Sequence, residues 1–368
     1  MTRLFVSPSK YIQGEGVLLE LNDYVRHFGK KVMVVASSSA LQQWGSVLHQ
    51  GLSEKDIIIE DFGGKECSKK QIERLTAKSK EEKIDFVMGF GGGKPQDVAK
   101  AISHNLDYIP LIIAPAIASC DAPTSALSVV YTEEGAYEDV WFYKQNPYMV
   151  IVDTRIIAHA PSRYLVAGMG DGLATKFEAD ACVQSGGKAI NGQYGTELAR
   201  AIADLSYDIL IQYGALAKES VDKKVVTNAL EKVVEANTLL SGLGFENNGV
   251  ASAHGIHDGL TVLPEVKKYL HGEKLGFCTM CLLVLEGKPP VLLNEVINFC
   301  HEVGLPITLG QLDIKEDVPA KIKKVSEAAN FDLATNHSFE VSPETLYSAI
   351  ILADSLGSQF LKDHNNFF

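Results

Sequence analysis

Three side chains in two separate segments could together hold a divalent metal. Asp171 lies in Ala167-Gly-Met-Gly-Asp-Gly-Leu-Ala-Thr-Lys-Phe-Glu178, and His254 and His271 belong to Ala251-Ser-Ala-His-Gly-Ile-His-Asp-Gly-Leu260 and its continuation Tyr269-Leu-His-Gly-Glu-Lys274. One carboxylate and two imidazoles with a coordination position left open is the donor set of a catalytic metal rather than a structural one. Each residue also has an ordinary alternative. An aspartate near a helix start caps the helix, a histidine in a small, apolar helix is commonly a satisfied core residue, and His271 at its turn also reads as a cap or surface residue. His257, one helical turn beyond His254, competes as a ligand, and spacing does not choose between it and His271.

A second constellation lies upstream. Ile84-Asp-Phe-Val-Met-Gly-Phe-Gly-Gly-Gly93 reads as an apolar strand running into three glycines, followed by a helix with Pro95 in its first turn. Glycines let backbone N–H groups approach a pyrophosphate, and the helix N-terminus favours its negative charge. Lys94 could add a charge-assisted contact. The turn is not the GxGxxG fingerprint, and glycine clusters also mark turns that bind nothing. The strand Lys31-Val-Met-Val-Val-Ala36 runs into three serines, 37 to 39, where a dinucleotide fold carries an acid for the ribose hydroxyls. Serines can bond a ribose and would not repel a 2′-phosphate; a helix N-cap is the competing reading. Metal donors and glycine turn together predict a metal-dependent dehydrogenase that uses a nicotinamide cofactor.

These groups need elements to position them. Apolar runs at 31–36, 56–60, 84–89, 109–114 and 149–153 read as buried strands, alternating with helical patterns such as 68–82 and 95–106. That alternation predicts a doubly wound, mostly parallel sheet of Rossmann-like α/β type. Beyond Pro161 the period becomes 3.6, with helices expected over 166–183, 194–216, 225–240, 250–263, 275–285, 319–329 and 342–361. The expected organisation is a dinucleotide-binding domain over 1–160 and an all-helical metal- and substrate-binding domain over 161–368.

Composition narrows the function classes. The chain has 368 residues, 46% hydrophobic and 22% charged, with a net charge of -12. Without a basic run to offset it, that charge argues against nucleic acid or an anionic membrane as partner. No apolar run reaches bilayer length and no signal-peptide pattern opens the sequence, so a cytoplasmic location is expected. Six irregularly spaced cysteines fit reduced thiols. Cys278-Thr-Met-Cys281 has redox-motif spacing but falls in an apolar helical pattern, which favours core packing.

At Ser7-Pro-Ser-Lys-Tyr-Ile-Gln-Gly14, Gly91-Gly-Gly-Lys-Pro-Gln-Asp97, 121–132, 168–175, 235–246, 254–263, 271–274, 304–309 and 312–320 the chain resembles the glycerol dehydrogenases of the iron-containing alcohol dehydrogenase superfamily. The resemblance runs over nearly the whole chain. It implies Asp171, His254 and His271 as ligands of one zinc ion per chain, with His257 as a neighbour. It places Asp121, Phe245 and His254 at a small polyol, with Asp121 also in a catalytic role. It places Gly92, Gly93, Lys94, Asp97, Ser119, Ser125, Leu127, Val129 and Tyr131 at NAD, and Ser37 at the end of its strand is expected to join them. A homo-oligomer, an octamer in many members, is implied as well.

Several positions depart from the family pattern. Thr175 stands where iron-binding relatives place a histidine, which favours zinc. Serine replaces aspartate at 37 or 38, so NADP is not excluded. Ala116, Pro95-Gln96, Lys176, Gly255, Asp258 and the stretch around Thr335-Asn-His337 also differ from the usual residues. The expected reaction is oxidation of glycerol to dihydroxyacetone with NAD. The alternatives are an NADP-dependent reductase of 2-oxo acids or other small carbonyls, and a non-catalytic homologue that keeps cofactor or metal.

Overall fold

The computed structural model describes residues 2–63 and 65–365 and divides into two compact units. One comprises Val6–Tyr164 and Glu219–Gly242; the other comprises residues 2–5, Leu165–Lys218 and the chain from Leu243 onward.

The first unit is built on strands β1 (Lys10–Gly14), β2 (Lys31–Ala36), β3 (Asp56–Asp61), β4 (Phe86–Gly91), β5 (Leu111–Pro115), β6 (Leu127–Tyr131), β7 (Tyr137–Phe142) and β8 (Met149–Asp153). Six of them form one sheet in the order β1-β8-β5-β4-β2-β3, every pairing parallel. The central strands β4, β5 and β8 are buried along their whole length, which is why they read in sequence as unbroken apolar runs. Val32, Val34, Met88, Ile112 and Ile151 pack in one core with Leu21, Leu48 and Leu52. The doubly wound expectation is met, with two additions that periodicity did not announce. β1 forms an edge of the sheet, and β6 and β7 pair as a separate antiparallel hairpin with an irregularity between Val130 and Tyr131.

Residues 219–242 pack in this sheet unit because their polar side chains find partners there. Gln13 donates to the Glu231 carbonyl and carboxylate at 2.8 and 2.6 Å, and Thr154 donates to Glu231 at 2.6 Å. Asn237 donates to the Ala118 carbonyl at 3.1 Å. The helix Asn228–Glu235 passes into a π-helical turn, Ala236–Leu240, the kind of widening that often accompanies functional sites.

The second unit is helical. Ser162–Ser185, Glu197–Asp222, Ser252–Leu260, His271–Leu285, Pro290–Val303, Val318–Glu327 and Pro343–Asn365 are its longer helices. Ser162–Ser185 and His271–Leu285 are buried on nearly all sides, as helices at the centre of a bundle must be. They approach closely because glycines meet there. A Cβ on Gly272 would lie 1.7 Å from the Ala167 carbonyl oxygen, and one on Gly170 would lie 2.1 Å from the Gly272 carbonyl oxygen. These glycines adjoin Asp171 and His271, so the backbone contact brings the two candidate ligands together.

All six cysteines are free thiols, five of them buried. Cys278 and Cys281 are fully buried in helix His271–Leu285, in keeping with packing rather than redox exchange. No helix among the described residues is long and apolar enough to cross a membrane.

Candidate metal and cofactor sites

Asp171, His254 and His271 converge in the helical unit. Each offers one donor atom, and the three atoms lie within 4.8 Å of one another. Asp171 Oδ1 is 3.5 Å from His271 Nε2, and the His254 and His271 rings are 5.4 Å apart between centroids. The carboxylate is 1% exposed, the His254 side chain 18% and the His271 side chain 41%, so the cluster is closed at Asp171 and open beside His271.

Hydrogen bonds fix which ring nitrogen each histidine presents. The Glu178 carboxylate accepts from the backbone N–H groups of Ala251 and His254, both at 2.9 Å, and from His254 Nδ1 at 2.5 Å. One buried residue thus holds the start of helix Ser252–Leu260 and engages His254 Nδ1, so that Nε2 is the nitrogen turned to the cluster. A chain of contacts does the same for His271. Asn330 donates to Asp258 Oδ2 at 3.0 Å, His257 Nδ1 donates to Asp258 Oδ1 at 3.2 Å, and His271 Nδ1 donates to His257 Nε2 at 3.0 Å.

Electrostatics agree with that assignment. Burial, then the adjoining His271, pushes the His257 pKa down to about 3, so His257 is neutral and can accept a hydrogen bond. Burial acts to raise the Asp258 carboxyl, but the hydrogen bonds it accepts from His257 and Asn330 hold it below the ordinary range. Histidine–carboxylate contacts of this kind orient metal-binding rings and raise their basicity.

The donor set suits a divalent transition metal with a position left for substrate. The Nε2 atoms of His254 and His271 lie in one cluster with the buried Asp171 carboxylate, and the partners of their Nδ1 atoms prevent the rings from turning away. Thr175, one helical turn beyond Asp171, is buried and supplies no imidazole. His257 is joined to the cluster through His271 rather than grouped with the three donors. Glu178 is the participant that sequence reasoning passed over. Its signal was present, because seven residues after Asp171 places it on the same helix face.

The glycine turn lies at the carboxyl end of β4, where ligands bind in doubly wound sheets. Gly91 has φ 141° and adjoins Ser37, and a Cβ there would lie 2.6 Å from Ser37 Oγ. Helix Gly93–Asn105 opens immediately after Gly92, which is its N-cap. Lys94, expected at the phosphates, pairs with Glu66 at 2.6 Å. Asp97 has a supporting place: it is buried, accepts from the Val129 N–H at 3.0 Å and pairs with Lys100 at 3.2 Å.

Lys100 fastens the segment 122–127 to this helix. Its ammonium also donates to the Ala122 carbonyl at 2.6 Å, Ser125 Oγ at 3.2 Å and the Leu127 carbonyl at 2.9 Å. The clamp sets the face of β6. Leu127, Val129 and Tyr131 share its half-exposed side, and Ser128 and Val130 are buried on the other. Ser119 is half-buried in the loop after β5. Asp121 accepts from Ser241 Oγ at 3.0 Å. In the helical unit Phe245 lies on helix Ser241–Asn248 and is largely buried.

Comparison with known proteins gives the family. The family model for iron-containing alcohol dehydrogenase matches residues 8–154. A glycerol dehydrogenase of Escherichia coli O6:H1 is 45% identical over 99% of this chain and 100% of its own length. The crystal structure of glycerol dehydrogenase from Schizosaccharomyces pombe is similar with a TM-score of 0.93 and 35% identity, covering 99% of this chain and 93% of that one. A probable glycerol dehydrogenase from Sinorhizobium meliloti 1021 is similar with a TM-score of 0.91 and 41% identity, covering 97% and 100%. The chain belongs to the iron-containing alcohol dehydrogenase family, among its glycerol dehydrogenases.

Proposed function

We propose that the protein oxidises glycerol and related vicinal diols with NAD, using one zinc ion per chain. The observation that carries this reading is the convergence of Asp171, His254 and His271 within 4.8 Å, in a chain 45% identical to a glycerol dehydrogenase. The overall reaction moves a hydride from the secondary carbon of glycerol to NAD and its hydroxyl proton to solvent, giving dihydroxyacetone, NADH and H⁺. When bound, the metal supplies Lewis acidity that lowers the hydroxyl pKa, and the nicotinamide supplies the hydride acceptor.

The chain's own residues hold, orient and exclude. Asp171, His254 and His271 would hold the metal, and Glu178 and the His257–Asp258 pair keep the rings in place. Asp121, held by Ser241, orients substrate hydroxyls as an acceptor. Gly91 to Gly93 leave backbone N–H groups clear for phosphates, and Lys100 keeps β6 where its half-exposed face can lie against the cofactor. The absence of an imidazole at 175 supports zinc over iron, since three protein donors and an open position are the usual catalytic zinc arrangement.

Self-association is part of the proposal. Leu198, Leu205 and Leu216 are all exposed and fall on one face of helix Glu197–Asp222, an apolar stripe that a second copy could cover. A cytoplasmic location is supported by the six free thiols.

The test is a steady-state assay of zinc-loaded protein with glycerol, 1,2-propanediol and 2-hydroxybutyrate, each with NAD and NADP. The reading expects diol oxidation with NAD. Activity confined to the hydroxy acid with NADP would overturn it.

A further inference from the structure

The turn after β2 leaves a chemical question. In a doubly wound fold, the strand next to the glycine turn ends in an acidic residue that accepts from the adenosine ribose hydroxyls. Here that strand is β2, and it ends in Ala36-Ser-Ser-Ser39 with no acid. A serine hydroxyl bonds a ribose hydroxyl as well as a 2′-phosphate, so the serines alone do not discriminate.

The next strand supplies the missing charge. β3 pairs with β2 in a register that sets Asp61 beside Ala36, and the Phe62 N–H donates to the Ala36 carbonyl at 2.7 Å. Asp61 Oδ1 then accepts from Ser38 Oγ at 2.6 Å and from the Gly63 N–H at 2.9 Å. Two donors on one oxygen pin the carboxylate at the tip of β2, within one residue of Ser37, while its other oxygen remains open. Asp61 is exposed. Its neighbour Glu60 is neutralised by Arg74 and Lys78, whereas no lysine, arginine or histidine among the described residues pairs with Asp61. Ser37 faces inward by contrast, with its N–H on the Phe90 carbonyl and its hydroxyl toward Gly91.

We propose that Asp61, held by Ser38, is the carboxylate that recognises the adenosine ribose diol of NAD and disfavours the 2′-phosphate of NADP. The inference rests on the nicotinamide-cofactor reading above and assigns its selectivity to a residue on β3 rather than β2. An open carboxylate oxygen accepts from a ribose hydroxyl, and the same charge repels a phosphate at that position. Ser38 is a positioning residue here, because it fixes Asp61 rather than carrying the charge.

Calorimetric titration of the full chain with ADP-ribose and with 2′-phospho-ADP-ribose tests this without any turnover. Wild-type protein should bind ADP-ribose more tightly. Asp61→Asn keeps the shape and removes the charge, and should narrow the preference by about tenfold. Ser38→Ala should narrow it in the same direction by roughly threefold, because the carboxylate remains but is no longer held. Both residues are exposed, and a melting temperature close to that of the wild type would show that the variants fold. An unchanged preference in Asp61→Asn, with ADP-ribose still binding, overturns the inference and leaves the cofactor reading standing. Failure of ADP-ribose to bind wild-type protein overturns both.

Discussion

In the helical unit the proposed metal donors are side chains locked by other side chains, whereas in the sheet unit the proposed cofactor turn is glycine backbone at a helix start. Glu178 holds His254, and the Asn330–Asp258–His257 contacts hold His271. At the tips of β2 and β4 the groups proposed to work are glycine N–H donors and a helix start, and the buried pair Asp97–Lys100 braces β6 and the residues leading into it. The difference comes from the ligands. A small metal ion needs donors fixed to within tenths of an ångström, and only packed, hydrogen-bonded rings provide that. A long anionic cofactor needs a cleared path and many weak contacts. Damage in the helical unit should therefore appear first as lost metal, and damage in the sheet unit as lost rigidity and weaker cofactor binding.

The largest single effect should come from the brace. Lys100→Met leaves Asp97 buried without its cation and frees the segment 122–127, and should lower unfolding free energy by about 3 to 4 kcal/mol. Denaturant unfolding measures this, and metal content of the folded fraction should stay unchanged. A variant as stable as wild type would show that the clamp is not what holds β6.

Gly272→Ala should strike the other region. Its Cβ would lie 1.7 Å from the Ala167 carbonyl oxygen, so the helices carrying Asp171 and His271 must separate. The expected cost is about 2 to 3 kcal/mol, accompanied by loss of bound zinc while ADP-ribose affinity is retained. Retention of full zinc stoichiometry would refute the idea that this glycine contact sets the donor spacing.

Gly272 carries no sequence signal of its role, and other elements divide in the same way between legible and hidden. The strands β2, β4, β5 and β8 could be read because burial on both faces makes them unbroken apolar runs. β1 could not, since Lys10–Gly14 is an edge strand with one exposed and four half-exposed residues. β7 is mostly exposed, so its Tyr137–Phe142 sequence carries no apolar run either. Helical periodicity identified the pattern at 225–240 but not the unit it packs in, because Glu231 and Asn237 dock through polar contacts that leave no period. The three candidate metal donors, which the structure brings together, were recognisable by residue type and resemblance. Of their outer partners, Glu178 could have been found from its place on the helix face of Asp171, whereas the pairing of His271 with His257 depends on the approach of two separate helices.

Asp258→Asn sharpens the comparison at intermediate scale. An amide accepts from His257 less strongly than a carboxylate, so His271 becomes a weaker donor, and zinc affinity should fall by about tenfold. Competition with a chromogenic chelator reads this directly. Unchanged affinity would confine the relay to a packing role.

Glu286→Gln should have the smallest effect. The Glu286 carboxyl is under an upward push from burial, which the hydrogen bonds and charges of His337 and Lys288 outweigh, so its folded pKa lies below the ordinary value. Its stabilisation is therefore present above the unfolded carboxylate pKa and is lost as pH falls through the lowered folded value. The variant should lose about 1 kcal/mol at neutral pH and show a flatter stability profile between roughly pH 5 and 3. A profile parallel to that of the wild type would contradict this assignment.

The most direct measurement is a zinc titration of chelator-stripped protein, monitoring glycerol-dependent formation of NADH for the wild type and His254→Ala. The account predicts no turnover without metal, full activity at one zinc per wild-type chain, and loss of about a thousandfold or more in His254→Ala at the same zinc level. Glycerol oxidation by metal-free wild-type protein, or by His254→Ala at the wild-type rate, would contradict it.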